Sequence, residues 1–184
     1  VLGKLALFLV LARLAHRGSR LSAVRWAQDH AVAEVLALPA FDEDDLYRAL
    51  DDLCTRQEKI ETKLYARYVR QRTQPPRMFL YDVTSSYLEG QKNELGEFGY
   101  NRDGKKGKLQ IVIGLLADAA GEPLAVRVMS GNTSDPATVA DQIKILQEQF
   151  RVQDVIFVGD RGMVKSKGKQ ALQQAHLHLS LIHI

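Results

Sequence analysis

Adjacent prolines, Pro75 and Pro76, separate two stretches of different periodicity, and this break limits the fold more than any other feature of the chain. Neither proline can continue a helix, and each pushes the residue before it towards extended geometry. Upstream, apolar residues recur at steps of three and four. Downstream they come in short runs bounded by turn residues. The pattern predicts a helical amino-terminal region over 1–70, a linker over 71–76 and an α/β region over 77–184.

In the first region, VLGKLALFLVLARLAHRG is apolar, but its uninterrupted run from Leu5 to Ala12 falls far short of the ~20 residues of a membrane span, so it is expected as a core helix. The segment SRLSAVRWAQDHAVAEVLAL sets Leu21, Val24, Ala27 and Ala31 on one helical face, closed by Pro39. A long coiled-coil-like helix is expected next, with Leu46, Leu50, Leu53, Gln57, Ile60 and Leu64 forming its seam, acids in its first turn, and Arg67 and Arg70 near its end. Such a seam packs on a neighbouring helix or, in the alternative, on a second copy in a homodimer. Trp26 and Tyr47 read as core or groove-facing packing.

Beyond the prolines, RMFLYDVT, LQIVIGLLAD, PLAVRVMS and DVIFVGD read as buried strands, with a hairpin turn at ADAAGEP. Between the third and fourth strands, SDPATVADQIKILQEQF reads as a helix with Asp135 as N-cap, Pro136 as first residue, and Val139, Ile143 and Leu146 buried. A further helix is expected at KSKGKQALQQA, and HLHLSLIHI begins like a fifth strand. This order suits a mixed sheet with flanking helices, in which a hairpin adds antiparallel strands and a crossover helix returns to a parallel one.

Composition narrows the class. The chain has 184 residues, 46% of them hydrophobic, enough for a real core. Its 25 basic and 22 acidic side chains are too balanced to name a partner by net charge alone, so local clusters must decide. The lone cysteine, Cys54, rules out an internal disulfide framework and suits a reducing, cytoplasmic setting. It lies in a helical pattern with no histidine nearby and is expected as a small buried side chain. The chain starts at Val1 where an initiator methionine would stand, and a missing upstream segment is expected.

Two acids interrupt this economy. Asp82 follows the apolar run Met78-Phe79-Leu80-Tyr81, and Asp160 follows Val155-Ile156-Phe157-Val158-Gly159. A right-handed crossover sets such strands near each other, at the carboxyl edge where α/β sheets hold ligands. Two carboxylates brought together repel unless a cation keeps both ionised, and oxygen-only ligation suits Mg²⁺ or Mn²⁺. A paired-metal site of this type activates an attacking water or hydroxyl and stabilises the leaving oxygen of a phosphodiester. The alternative is that both acids only end strands or cap the turns that follow.

Basic groups surround both. YNRDGKKGKL carries Arg102, Lys105, Lys106 and Lys108, and DRGMVKSKGK carries Arg161, Lys165, Lys167 and Lys169. Either cluster is suited to a phosphate backbone or, alternatively, to a solvated turn. Ser85 and Ser86 have no histidine in a triad arrangement, and the His176/His178 pair reads as a surface or half-buried pair rather than a metal site.

In combination and in this order, YDVTSSYLEG, GYNRDGKKGKLQIVIGLLAD, EPLAVRVMSGNTSD and VGDRGM resemble the catalytic core of DDE transposases of bacterial insertion sequences, in the IS-four-like superfamily. DEDDLYRALDDL and HRGSRL are similar to the helical amino-terminal region of that group. The resemblance implies an RNase H-like fold, Mg²⁺ or Mn²⁺, double-stranded DNA as partner, and cleavage and strand transfer at element ends. It implies Asp82 as first catalytic and metal-binding acid and Asp160 as second, with Arg161 and Gly162 following in the expected pattern. The third acid of the family, a glutamate further downstream, has no counterpart before Ile184, since Glu122 and Glu148 both precede Asp160. A truncated enzyme is therefore expected, with a catalytically inactive DNA-binding remnant or an RNase H-like nuclease as alternatives.

Overall fold

A computed structural model describes residues 1–90, 92–100, 107–152, 156–160 and 178–182. The chain divides into two compact units, Val1–Ile60 and Glu61–Ile184.

The first unit holds α1 (Leu2–Ala15), α2 (Arg20–Gln28), α3 (Val32–Val35) and α4 (Glu43–Thr55). Its core gathers Leu5, Phe8 and Ala12 of α1, Ala23, Val24 and Ala27 of α2, and Leu46 and Ala49 of α4. Phe8 lies edge-on to Phe41 at 5.0 Å between ring centroids, and Trp26 packs between His16 and His30. Asp42 starts α4 through a capping box in which its carboxylate accepts the Asp45 N–H while Asp45 accepts that of Asp42. Among the described residues no helix is long and apolar enough to cross a membrane.

Several expectations here need correction. The long seam helix is two helices, because α4 ends at Thr55 and α5 (Gln57–Arg70) starts after Arg56. The break shifts the helical phase, so α5 buries Glu61, Tyr65 and Tyr68, while Leu64 is exposed. Leu21 and Tyr47 are also exposed, Tyr47 lying under the Arg20 guanidinium at 5.7 Å. Cys54 is exposed as well, on the outer side of α4, so it fills no core. The division of the chain falls within the expected helical region, because Tyr65 and Tyr68 of α5 join the hydrophobic cluster of the sheet.

The second unit is built on a five-stranded sheet of order β3-β2-β1-β4-β5. Its strands are β1 (Met78–Leu88), β2 (Leu109–Asp118), β3 (Pro123–Ser130), β4 (Ile156–Asp160) and β5 (His178–Ile182). Among the described strands, β2 alone runs antiparallel to the rest. Gly121 turns the β2–β3 hairpin at φ +84°, a conformation that glycine adopts without steric cost. Between β3 and β4 run α6 (Asp135–Lys144) and a π-helical turn, Ile145–Gln149. Ser134, not Asp135, is the N-cap, which moves Asp135 and Pro136 into the first turn, a place where proline's missing N–H goes unmissed. The α/β class expected from the sequence, a helical amino-terminal region and then a mixed sheet with helices, is the one observed. The helix expected at KSKGKQALQQA lies outside the described residues.

Period-two alternation decides which face is core. Phe79, Tyr81 and Val83 of β1, with Val112 and Leu116 of β2, are buried against Tyr65 and Tyr68 of α5, Val139, Ile143 and Leu146 of α6 and its extension, and Phe150. Tyr65 stacks on Phe150 with centroids 4.1 Å apart. Each large side chain buried here contributes roughly 1.5–3 kcal/mol. The intervening residues Asp82, Thr84, Leu115, Val126 and Val128 form an exposed face.

Candidate active site on the central strands

Parallel pairing of β1 with β4 runs from Met78↔Ile156 to Tyr81↔Gly159. Asp82 and Asp160 are the next residues on their strands, so the register sets their backbones beside each other in neighbouring strands, which lie about 4.8 Å apart. Asp160 is the last residue of β4 and also pairs with Ile182 of β5.

Asp82 does not end its strand, as the apolar run before it suggested. It is the fifth residue of an 11-residue strand and lies on the exposed face, opposite Leu115. The reason is the extent of β2, whose pairing carries β1 on to Leu88. An exposed carboxylate on a strand escapes the desolvation penalty that a core position would impose. One of its oxygens, Oδ1, accepts the Val83 N–H at 2.8 Å. Ser85, by contrast, points to the buried face, away from Asp82.

Of the expected phosphate-binding residues, Lys108 is described: it is exposed and lines a groove with Leu88, Glu89 and Phe98 at the end of the β1–β2 pair where the connecting segment joins the strands. Arg102, Lys105, Lys106, Arg161, Lys165, Lys167 and Lys169 lie outside the described residues, as do Gly162 and His176. Among the described residues no group of three or more histidine, cysteine or acidic side chains is placed to hold a metal ion. Mg²⁺ is held by as few as one or two carboxylates together with water and phosphate oxygens, so the neighbouring backbone positions 82 and 160, each an aspartate, offer the donor chemistry such an ion takes.

Two polar networks on the buried side were not foreseen. Asp118, at the end of β2, accepts the Tyr68 hydroxyl at 2.5 Å through Oδ2 and the N–H groups of Ala120 and Glu122 through Oδ1. Arg72 stacks over the Tyr68 ring at 3.4 Å and reaches Asp118 at 3.4 Å. Burial alone would raise the Asp118 carboxyl, but the Tyr68 hydroxyl, the two N–H groups and the Arg72 charge outweigh it and hold the carboxyl below its usual range. The same burial, with the Asp118 hydrogen bond and charge, pushes the Tyr68 phenol up to about 12. The second network joins Glu61, Arg127 and Gln149. The one sequence signal for it was an acid standing i to i+4 and i+7 aromatics on α5.

No protein-family model and no curated protein matches the sequence. Solved structures similar to the chain include a Mos1 transposase paired-end complex with left transposon end, at 11% identity and TM-score 0.39 over 95% of this chain and 57% of that one. The catalytic domain of Mos1 mariner transposase overlaps at 14% identity and TM-score 0.34, over 67% of this chain and 58% of that one. A simian T-cell lymphotropic virus intasome overlaps at 8% identity and TM-score 0.40, over 80% of this chain and 45% of that one. The chain thus spans little more than half the length of the transposase chains it overlaps. Overlaps at these scores carry no assignment of activity.

Proposed function

We propose that the chain belongs to the catalytic core of a DDE-type transposase of the IS-four-like superfamily, acting on double-stranded DNA at insertion-sequence ends. The observation that supports this reading most is the register Tyr81↔Gly159, which sets Asp82 and Asp160 side by side on parallel central strands. Spacing in the sequence supports a pair of acids, and the register supports a shared task.

Asp82 and Asp160 would hold Mg²⁺ or Mn²⁺, which supplies charge stabilisation for an in-line displacement at phosphorus and lowers the pKa of an attacking water or hydroxyl. The protein's own contribution is positional. Strand β1 is paired on both sides, to β2 and to β4, so the Asp82 backbone is held in the middle of a rigid sheet. The Val83 N–H fixes one carboxylate oxygen. Lys108, with the basic residues that neighbour it in sequence, attracts the DNA backbone.

Mn²⁺ binding followed by electron paramagnetic resonance, together with nicking of plasmid DNA, tests the proposal. Wild-type protein should bind Mn²⁺, and Asp82→Asn or Asp160→Asn should abolish binding and any nicking. Binding that survives both substitutions would overturn the assignment. Salt-sensitive DNA binding without Mn²⁺ uptake or nicking would favour a non-catalytic DNA-binding protein, and cleavage without joined products would favour a simple nuclease.

A further inference from the structure

The segment between β1 and β2 carries two aromatic side chains where solvent would normally exclude them. Phe98 is 65% exposed and Tyr100 is 85% exposed. Their backbone is nevertheless tied down. Glu97 and Gln110 exchange both backbone hydrogen bonds at 3.1 and 3.0 Å, and the Gly131 N–H donates to the Leu95 carbonyl at 2.9 Å. Gln110, only 2% exposed, donates from Nε2 to the carbonyls of Tyr100 at 3.2 Å and Gly131 at 2.7 Å. Gly99, between the aromatics, packs so closely on Gly131 that a methyl group there would collide with the Gly131 carbonyl. With Gly99 clamped inward, both flanking rings are turned to solvent on a pinned backbone.

Phe98, two residues before Tyr100, lines a groove of about 420 Å³ together with Leu88, Leu109, Gly107, Glu89 and Lys108. That volume lies within the ~300–1,000 Å³ of small-ligand sites. The composition is an aromatic face, two aliphatic walls, one cation and one carboxylate. An unpaired nucleobase matches it: the ring stacks on Phe98, Lys108 meets a phosphate, and Glu89 accepts an N–H from the base edge. The DNA-acting reading, not net charge, selects the polymer: residues 89–108 carry Lys92, Arg102, Lys105, Lys106 and Lys108 against Glu89, Glu94, Glu97 and Asp103, with four of the five cations following Tyr100. Rings presented on a pinned backbone lose little freedom on binding, which leaves more of the stacking energy as affinity.

We infer that Phe98, Tyr100 and the Lys108 groove form a stacking site for unpaired bases of single-stranded DNA, distinct from Asp82, which stands six residues back along β1 from the groove wall Leu88. This rests on the DNA-acting reading for the identity of the polymer and goes beyond it in naming the strand state and the residues that recognise it.

Fluorescence anisotropy with a labelled oligodeoxycytidylate, in chelator and without metal, reads the site directly on the whole chain. Phe98→Ala and Tyr100→Ala should each weaken binding roughly 5- to 150-fold, and Phe98→Trp should restore it. Lys108→Ala should weaken binding and lower its salt dependence by one phosphate's share. Binding of a duplex of equal charge should change less than about twofold in the aromatic variants. Asp82→Asn should leave single-strand binding intact, so loss of nicking and loss of this site are told apart. Failure of the wild type to bind the oligonucleotide would overturn the inference, as would Ala variants that bind it as the wild type does. A shift of the Ala variants from dimer to monomer in sedimentation, with oligonucleotide affinity unchanged, would reassign the rings to a contact between copies.

Discussion

Glu61 on α5 holds Arg127 on β3 through both carboxylate oxygens, each 2.8 Å from Nη1. The same carboxylate accepts the backbone N–H of Val126 at 3.2 Å and the amide of Gln149 at 3.2 Å. β3 is an edge strand, and an edge presents N–H groups to any extended chain that meets it. Glu61 occupies one of them and ties the edge to α5.

Replacing Glu61 by Gln should therefore destabilise the protein by about 2–3 kcal/mol, below the usual cost of breaking a fully buried pair because the Arg127 side chain is 25% exposed. A lower denaturation midpoint at unchanged slope in urea is the expected readout. Adding Arg127→Met to Glu61→Gln should recover part of the loss, since the two sites share one interaction.

The Tyr68–Asp118 bond gives stability a dependence on pH at both ends. The Asp118 carboxyl is held low in the fold, so its contribution is present above the unfolded value of ~3.9 and is lost as pH falls through the folded value. Tyr68 is pushed up to about 12 in the fold, so its contribution is present below ~10 and is lost as pH rises from there towards about 12. Tyr68→Phe should cost about 1.5–3 kcal/mol near neutrality, move acid unfolding to higher pH, and reduce the alkaline decline, of which Tyr65, also pushed up by burial, keeps a part. Circular dichroism across pH for both proteins tests all three.

Gly131 faces the Gln110 and Glu97 carbonyls so closely that Gly131→Ala has no room for its methyl group against backbone that cannot swing away. The substitution should release the Glu97–Gln110 bridge while sparing the hydrophobic cluster around Phe79. Hydrogen exchange of the Gln110 and Glu97 amides should accelerate, with the amides of Tyr81 and Leu116 unchanged.

Asp82 and Phe79, three residues apart on β1, should respond in opposite ways. Asp82 is exposed, and Asp82→Asn should alter stability by no more than about 0.5 kcal/mol. Phe79 is 0% exposed, and Phe79→Ala should cost about 3–5 kcal/mol. Thermal unfolding of both separates loss of function by chemistry from loss by unfolding.

The sequence by itself determined the elements and their order. Local chemistry dictates these: Pro75 and Pro76 stop a helix whatever surrounds them, the short apolar run from Met78 behind them reads as a strand, and Gly121 supplies the turn that LLADAAGEPL needs. It also singled out Asp82 and Asp160 as a candidate pair, since each follows an apolar run.

Only the tertiary structure decided which faces are buried and which residues meet. The α4–α5 break rotated the buried stripe from Leu64 to Glu61, Tyr65 and Tyr68, a shift invisible in spacing because a one-residue interruption leaves the apolar count unchanged. Asp82 stands in mid-strand and not at a strand end because β2 extends the pairing of β1, and that depends on contacts between segments separated by a hairpin and not on the residues around Asp82. Tyr68 with Asp118, and Glu61 with Arg127, lie 50 and 66 residues apart along the chain. Such pairs form only after β2 and β3 have been brought under α5, so no local preference of either partner announces them.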